Sequence, residues 1–309
     1  PDLDTLTLLP WRPENGKAVR MFCTLTYPDG REFENDSRTI LKKAVAKAKA
    51  KGLSFFFGSE IEFYLFKLDE KGRPTKETVD EAGYMDVSPV DKGDGVRREV
   101  CLMLEDLSMK PEGAHHEEGP GQNEIDFTYS DPVSAADNAQ TLCSVVKTIA
   151  ERNGLFVDFS PKPLADKAGN GLHINMSVKG GRGDNLKYMI AGILKYIKEI
   201  TLFLNPTEDS YRRLGAFKAP KYISWSVRTV PSSSVFLLQR GNMSERNYVA
   251  LMPQPTHTLL LLFCLKPPSM ALRTVWNFQR VQTSICSVLM RRRCPSSIAF
   301  LLLFLKQGK

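Results

Sequence analysis

Residues 115–127 carry a dense set of chemistry-bearing side chains. Two of the chain's four histidines, His115 and His116, stand beside Glu117 and Glu118; a Gly119-Pro120-Gly121 turn follows, then Glu124 and Asp126. Past the turn, Glu124, Asp126 and Thr128 alternate with Ile125, Phe127 and Tyr129, so a strand there would send its acids to one face. Carboxylates aimed together into a fold cost too much to bury unless a cation or a proton compensates them. Two glutamates bracketing a tight turn therefore point to a hard, oxygen-ligated cation such as Mg2+ or Mn2+. The plain alternative is a solvated hairpin whose acids face water.

Two further stretches offer donors in the same alternating way. Glu60 and Glu62 sit two apart between Phe55-Phe56-Phe57 and Phe63-Tyr64-Leu65-Phe66, a poor pattern for a strand bathed in water. His173, Asn175 and Ser177 share one face of Leu172–Val178, and the preceding Gly169-Asn170-Gly171 lets backbone approach a ligand closely. Three strands each presenting polar ligand types on one face require a sheet to bring them together.

The rest of the chain supplies elements for that. Helices are expected over 38–51, capped by Asp36 or Ser37 and stopped by Gly52, over 96–107, from Asp131-Pro132 to Asn153-Gly154, and over 185–204. Strands are expected at Ala18–Leu25, closed by a Pro28-Asp29-Gly30 turn, and at 54–66, 155–159, 172–178 and 222–226. Strands and helices alternate, so the fold class is α+β, or mixed α/β.

Composition narrows the function classes. The 309 residues allow a large core. Apolar runs 259–265 and 299–305 are far too short to span a bilayer, and the chain does not open on a signal-peptide pattern. Six scattered cysteines form no CxxC pair, so a reducing cytoplasm is the expected compartment. Of 42 Lys and Arg, ten lie from Thr229 onward, in company with one of the 35 acids, Glu245; residues 1–228 thus hold 32 against 34. The net charge of +7 belongs to the tail.

Taken in order, these pieces resemble the type I glutamine synthetase family. The matching stretches are Pro1–Trp11, Gly58–Phe63, His115–Phe127, Ser160–Pro163, Asn170–His173, Asn205–Thr207 with Tyr211–Leu214, and Ala219–Ser226. The resemblance covers residues 1–226. It implies a remnant of a β-grasp domain over 1–35, then a catalytic domain over 36–226 whose curved antiparallel sheet forms a funnel with helices outside. It also implies a cytoplasmic homo-oligomer, a dodecamer of stacked hexameric rings in the intact family, with no membrane or nucleic-acid partner.

The activity implied is ATP-dependent ligation of L-glutamate and ammonia through a γ-glutamyl phosphate, with two divalent metals, Mg2+ or Mn2+, and ATP as co-substrate. By resemblance, Glu62, Glu117 and Glu124 hold the metal beside the glutamate site, and Glu60 and His173 the metal that bridges the ATP phosphates. Asn170 and Gly171 belong to the glutamate-binding loop, Glu124 borders it, Arg213 is a substrate or phosphate arginine, and Asn175 and Ser177 lie where nucleotide is contacted. Phosphoryl transfer depends mainly on positioning and on charge neutralisation by metal ions, which agrees with the acids read above.

Three departures from the family stand out. The chain begins inside the β-grasp domain, whose missing half completes a neighbouring subunit's site in the family. Lys218 occupies the place of a loop glutamate that shields the intermediate and helps deprotonate ammonium; this motivates a γ-glutamyl-amine ligase, acting on a polyamine, as an alternative. Lastly, residues 227–309 lose the pattern. Met270 and Trp276, with one codon each, pin the nucleotide frame there. Moved back by one base, 269–279 can be read as DGIKNGVEFP, 227–239 as a serine-type residue and ENRSQLIRIPAA, 247–252 as ELRSPD and 255–260 as NPYLA, all family-like. A single frameshift near Ser226 accounts for this, and the tail is expected to be disordered or misassigned, without the family's arginines and last metal glutamate. A basic tail that binds nucleic acid is the remaining alternative; its Leu/Phe-rich stretches lack basic-aromatic interleaving.

Overall fold

The computed structural model describes residues 1–12, 16–181, 185–226, 234–240 and 246–252. After a 3-10 turn at Leu3–Thr5, two short strands, β1 (Thr7–Leu8) and β2 (Val19–Arg20), pair antiparallel. Then come α1 (Ser37–Lys49), β3 (Leu53–Leu68), β4 (Pro74–Thr78), α2 (Asp94–Asp106), β5 (Pro111–His116), β6 (Gln122–Ser130), α3 (Pro132–Arg152), β7 (Leu155–Asp158) and β8 (Leu172–Gly180). The described chain closes with α4 (Asn185–Leu204), α5 (Glu208–Arg213), β9 (Tyr222–Ser226), β10 (Ser234–Arg240) and β11 (Arg246–Met252).

One nine-stranded sheet runs β5-β6-β3-β8-β11-β10-β9, antiparallel except where β10 meets β9. Sixteen residues long, β3 is its spine. One edge pairs with β6 and then β4, the other with β8 and then β7. Its odd-numbered side chains, Phe57, Ile61, Phe63 and Leu65, are wholly buried or nearly so, with α1 and α3 packed on the strand. From α3 come Ala135, Leu142, Val146 and Ile149, spaced three, four or seven apart on one stripe. A wholly buried leucine or phenylalanine gains roughly 1.5–3 kcal/mol from leaving water, so this layer sets the register. Register then decides function, because the even-numbered side chains, including Glu60 and Glu62, must leave by the other face.

Caps fix the helix starts that the sequence suggests. The Asp36 side chain accepts from the Thr39 amide at 2.9 Å, and Asp131 accepts from Val133 and Ser134 ahead of Pro132. Buried Arg38 reaches Asp2 and Asp137, and Arg20 donates to Thr141, tying the N-terminal segment to α1 and α3.

Several expectations need correction. Of the Ala18–Leu25 strand only Val19–Arg20 pairs, since its partner β1 is two residues long. The sequence reading does not anticipate β4 or α5. The cap on α5 is legible all the same: Thr207 accepts from the Ser210 amide, with Glu208 and Asp209 in the first turn. Within the tail, expected to be disordered or misassigned, 234–240 and 246–252 are strands; Val235-Phe236-Leu237-Leu238 and Tyr248-Val249 are strong strand formers. Otherwise the tail lies outside the described residues. Among the described residues no helix is long and apolar enough to cross a membrane.

Candidate metal centre

Cross-strand pairing assembles the acids. Glu60 of β3 faces His173 of β8 on one side and Asp126 of β6 on the other; Glu62 faces Glu124; Glu124 in turn faces His115 of β5. Directly opposed residues lie about 5 Å apart at Cβ, so four strands deliver their polar side chains to one patch. His173 Nδ1 lies 2.8 Å from Glu60 Oε2 and its Nε2 3.7 Å from Glu62 Oε1. His115 Nε2 is 3.2 Å from Glu124 Oε1, and its Nδ1 is 3.8 Å from Glu117 Oε1.

Ligand atoms of Glu60, Glu124 and His173 fall within 4.8 Å of one another, as do those of His115, Glu117 and Glu124. Glu124 is common to both triads. Glu62 is held by the Gly171 amide at 2.8 Å and by Gln122 Nε2 at 3.0 Å, both on Oε2, which leaves Oε1 toward His173. His115 and Gln122 belong to the cluster, yet neither has a role assigned from sequence. Both lie inside the 115–127 stretch, and the strand pairing of β5 with β6 is what brings His115 to Glu124.

The electrostatics show a site under charge tension. Burial pushes the Glu117 carboxyl up to about 7, helped by Glu62 and Glu124. Burial likewise raises Glu62, with Glu124 adding to it. Asp126 rises to about 6 through burial and the nearby Glu124 and Glu60. For Glu60, burial acts upward, but the His173 hydrogen bond and charge outweigh it and leave the carboxyl below its usual range. Burial would lower His173; the Glu60 hydrogen bond and the Glu62 charge overcome this and hold it at about 9. The Glu124 hydrogen bond lifts His115 to about 9 as well. Half-buried carboxylates that repel one another and grip protons on imidazoles are a donor set suited to a divalent cation of the hard kind.

Gly171 must be glycine here. A Cβ there would stand 2.5 Å from His173 Nε2 and 2.8 Å from Glu62 Oε1, displacing two of the donors. Gly171→Ala is expected to weaken Mn2+ binding about tenfold, as misplacing liganding groups does, while the midpoint of thermal unfolding moves by only a few degrees. Titration of the variant with Mn2+ checks this; unchanged affinity would show that the loop does not border the cation.

Asn170 is buried and spends its side chain inside the protein, donating to the Asp158 and Ser160 carbonyls and accepting from Gln122. Asn175 donates to Glu60 Oε1 at 2.6 Å. Ser177 lies further along the same strand, buried. Arg213, at the end of α5, is buried; burial lowers its affinity for its proton, partly offset by Glu62, and its Nε and Nη2 have no hydrogen-bond partner. Lys218 is exposed, pairs with Glu118 and lies 5.4 Å over the Tyr84 ring, while Tyr84 meets His115 edge-on.

Residues 34–232 match the family model of the glutamine synthetase catalytic domain. The chain belongs to the glutamine synthetase family. Among curated glutamine synthetases, that of Clostridium saccharobutylicum is 43% identical over 242 residues, which are 74% of this chain and 55% of that protein. A Staphylococcus aureus (strain MW2) glutamine synthetase is 43% identical over 254 residues, 75% of this chain and 57% of the other. The chain thus spans a little over half the length of these relatives. In fold it is similar to Plasmodium falciparum glutamine synthetase (TM-score 0.73, 23% identity, 84% of this chain and 60% of that one). Ligand-free GmaS is similar too (TM-score 0.72, 26% identity, 86% and 64%). The expected α+β class of this family is therefore the observed one.

Proposed function

We propose that this glutamine synthetase-family chain carries the cation-binding and glutamate-binding part of an ATP-dependent glutamate–ammonia ligase that works through a γ-glutamyl phosphate. The observation that carries the reading is the convergence of Glu60, Glu62, Glu117, Glu124 and His173 beside a buried arginine with free donors. Two cations would be held by these five side chains, with His115 an added donor to the Glu117–Glu124 pair. Mg2+ or Mn2+ would supply charge neutralisation for phosphoryl transfer.

The chain's own residues do the rest. An orphaned guanidinium in a buried site calls for an anion, and its planar fork suits a carboxylate or phosphate oxygen pair; Arg213 would orient the substrate's acid group. Asn170 fixes Gln122, and Gln122 with the Gly171 amide aims the free oxygen of Glu62. Lys218, paired with Glu118, ties the 214–221 loop to the acidic hairpin and would border the entering amine.

Residues from 227 onward lie mostly beyond the family match, and the one-base frame change restores family-like segments there. On this reading the chain as written lacks the family's downstream arginines, and charge clamps of that sort supply much of transition-state stabilisation. The deciding experiment compares the 309-residue chain with one whose β-grasp half is supplied and whose frame is restored after codon 226, offering ATP, Mg2+, glutamate and either ammonia or putrescine. Phosphate release is expected only from the restored chain and with ammonia. Turnover by the 309-residue chain overturns the frame reading, preference for putrescine overturns the choice of acceptor, and silence in both chains overturns the ligase assignment.

A further inference from the structure

Behind the carboxylate cluster lies a second, fully buried constellation that the proposed chemistry does not use: Asp80, Asp91, His116, Arg97 and Asn123. Ligand atoms of Asp80, Asp91 and His116 come within 4.8 Å of one another, as in a metal site. Their lone pairs are nevertheless already taken. Asp80 Oδ1 accepts from the Gly121 amide at 2.7 Å and from His116 Nε2 at 3.0 Å, and Asp80 Oδ2 from the Lys92 amide at 2.9 Å. Asp91 is paired with Arg97, which also meets the Asn123 side chain. The positive charge that such acids require comes from Arg97 and the imidazole, so no ion is needed.

The useful feature is where these bonds end. His116 directs Nδ1 at the Glu117 carbonyl, 2.7 Å away, and Nε2 at Asp80. Both ring nitrogens face acceptors, so each presents a proton. Asp80 therefore grips the turn at both ends, at Gly121 directly and at Glu117 through His116. Asn123 adds a bond from Nδ2 to the Gly121 carbonyl at 2.9 Å and is anchored by Arg97. Gly121 itself is at φ +67 with the Leu65 carbonyl 2.9 Å from where a Cβ would stand, so the turn has little room to relax. The segment so clamped, 117–121, holds Glu117 beside Glu124 although the charges of Glu62 and Glu124 repel it.

We propose that Asp80 and His116 are positioning residues: a charged clamp that holds the Glu117 turn closed over the cation site although neither touches the cation. The inference rests on the ligand roles proposed above for Glu117 and Glu124. Groups that orient metal ligands typically contribute about ten- to a hundredfold in affinity.

The test uses the full chain, with Mn2+ as the probe, followed by the paramagnetic signal of the free ion. Asp80→Asn and His116→Asn are each expected to lose on the order of tenfold in Mn2+ affinity. Asp131→Ala, which removes the cap of α3 far from the site, is expected to lower thermal stability without changing affinity. Equal loss in Asp131→Ala would make the effect one of general loosening and sink the proposal. So would wild-type affinity in both clamp variants while Glu117→Gln binds poorly, an outcome that leaves the cation site itself intact. Absence of Mn2+ binding by the wild-type chain would instead overturn the cation site along with the clamp. Should both clamp variants fail to fold, hydrogen exchange in the metal-free wild type decides: the 117–121 segment is expected to be as protected as β6, and immediate exchange there refutes the clamp.

Discussion

Glu117→Gln is expected to make the metal-free protein more stable and to cost more than about a hundredfold in divalent-cation affinity. The two effects share one cause. Burial and the charges of Glu62 and Glu124 push the Glu117 carboxyl up to about 7, so at about pH 8 the fold holds an anion that it would rather protonate. Glutamine keeps the shape and removes the charge. One of its polar atoms is already served, since Glu117 Oε2 accepts from the Glu118 amide at 3.0 Å and the amide oxygen of glutamine can do the same. The other becomes a donor toward Glu124 and relieves the repulsion. Relief of about 1–2 kcal/mol is expected, less than the full shift implies because the carboxyl retains some contact with water. A cation loses both a full charge and a ligand oxygen, which is worth more than the outer contacts discussed above. Calorimetric unfolding without metal, paired with Mn2+ titration at the same pH, checks both signs. A variant that is less stable and binds normally would mean that Glu117 is an ordinary surface acid. Sites that trade stability for function show this opposition of sign.

The site was legible in the sequence to the extent that period-2 alternation is legible. Glu60 and Glu62, Glu124 and Asp126, and His173 and Asn175 each read as same-face pairs, and the register of β3 with β6 and β8 brings all three strands together. Strand order is a different kind of information. The Gly119-Pro120-Gly121 turn suggests a hairpin, but its register, which sets His115 opposite Glu124, is not legible locally; Glu117 has its role from resemblance alone. Hydrogen-bond direction was also hidden. Resemblance puts Asn170 in the glutamate-binding loop, but only the structure gives its side-chain bonds to Asp158, Ser160 and Gln122. Short elements such as β4 and α5 escape because five or six residues give too little periodicity to count. At the tail the difficulty was of another sort: Val235–Leu238 and Tyr248–Leu251 read as strands by propensity whatever frame produced them, and propensity does not report descent.

Cation affinity is expected to climb on the order of 100-fold between about pH 6.5 and 8.5. The sign follows from the protons that must leave. Burial opposes a proton on His173, but the Glu60 hydrogen bond and the Glu62 charge hold it there up to about 9; the Glu124 bond holds His115 protonated to about the same pH. Metal ligands must be deprotonated, so below about pH 9 each cation bound through His173 displaces about one proton, and affinity gains roughly a factor of ten per pH unit. Stability of the metal-free protein should move the other way. A histidine whose folded value is raised stabilises fully below its ordinary 6.5, and that help is lost as pH rises through about 9. An acid whose folded value is raised, as for Glu117, is penalised increasingly from its ordinary 4.5 to about 7 and fully above it. Both trends weaken the metal-free fold as pH rises, while cation binding to the folded state alone restores it by mass action. The rise in unfolding midpoint given by a fixed, saturating Mn2+ concentration should therefore widen from about pH 6.5 to 8.5, with proton release seen by calorimetry in buffers of different ionisation enthalpy. Binding that is flat across this range, with no proton released, would mean that neither imidazole gives up its proton to the cation, and that the bound ion rests on carboxylates alone.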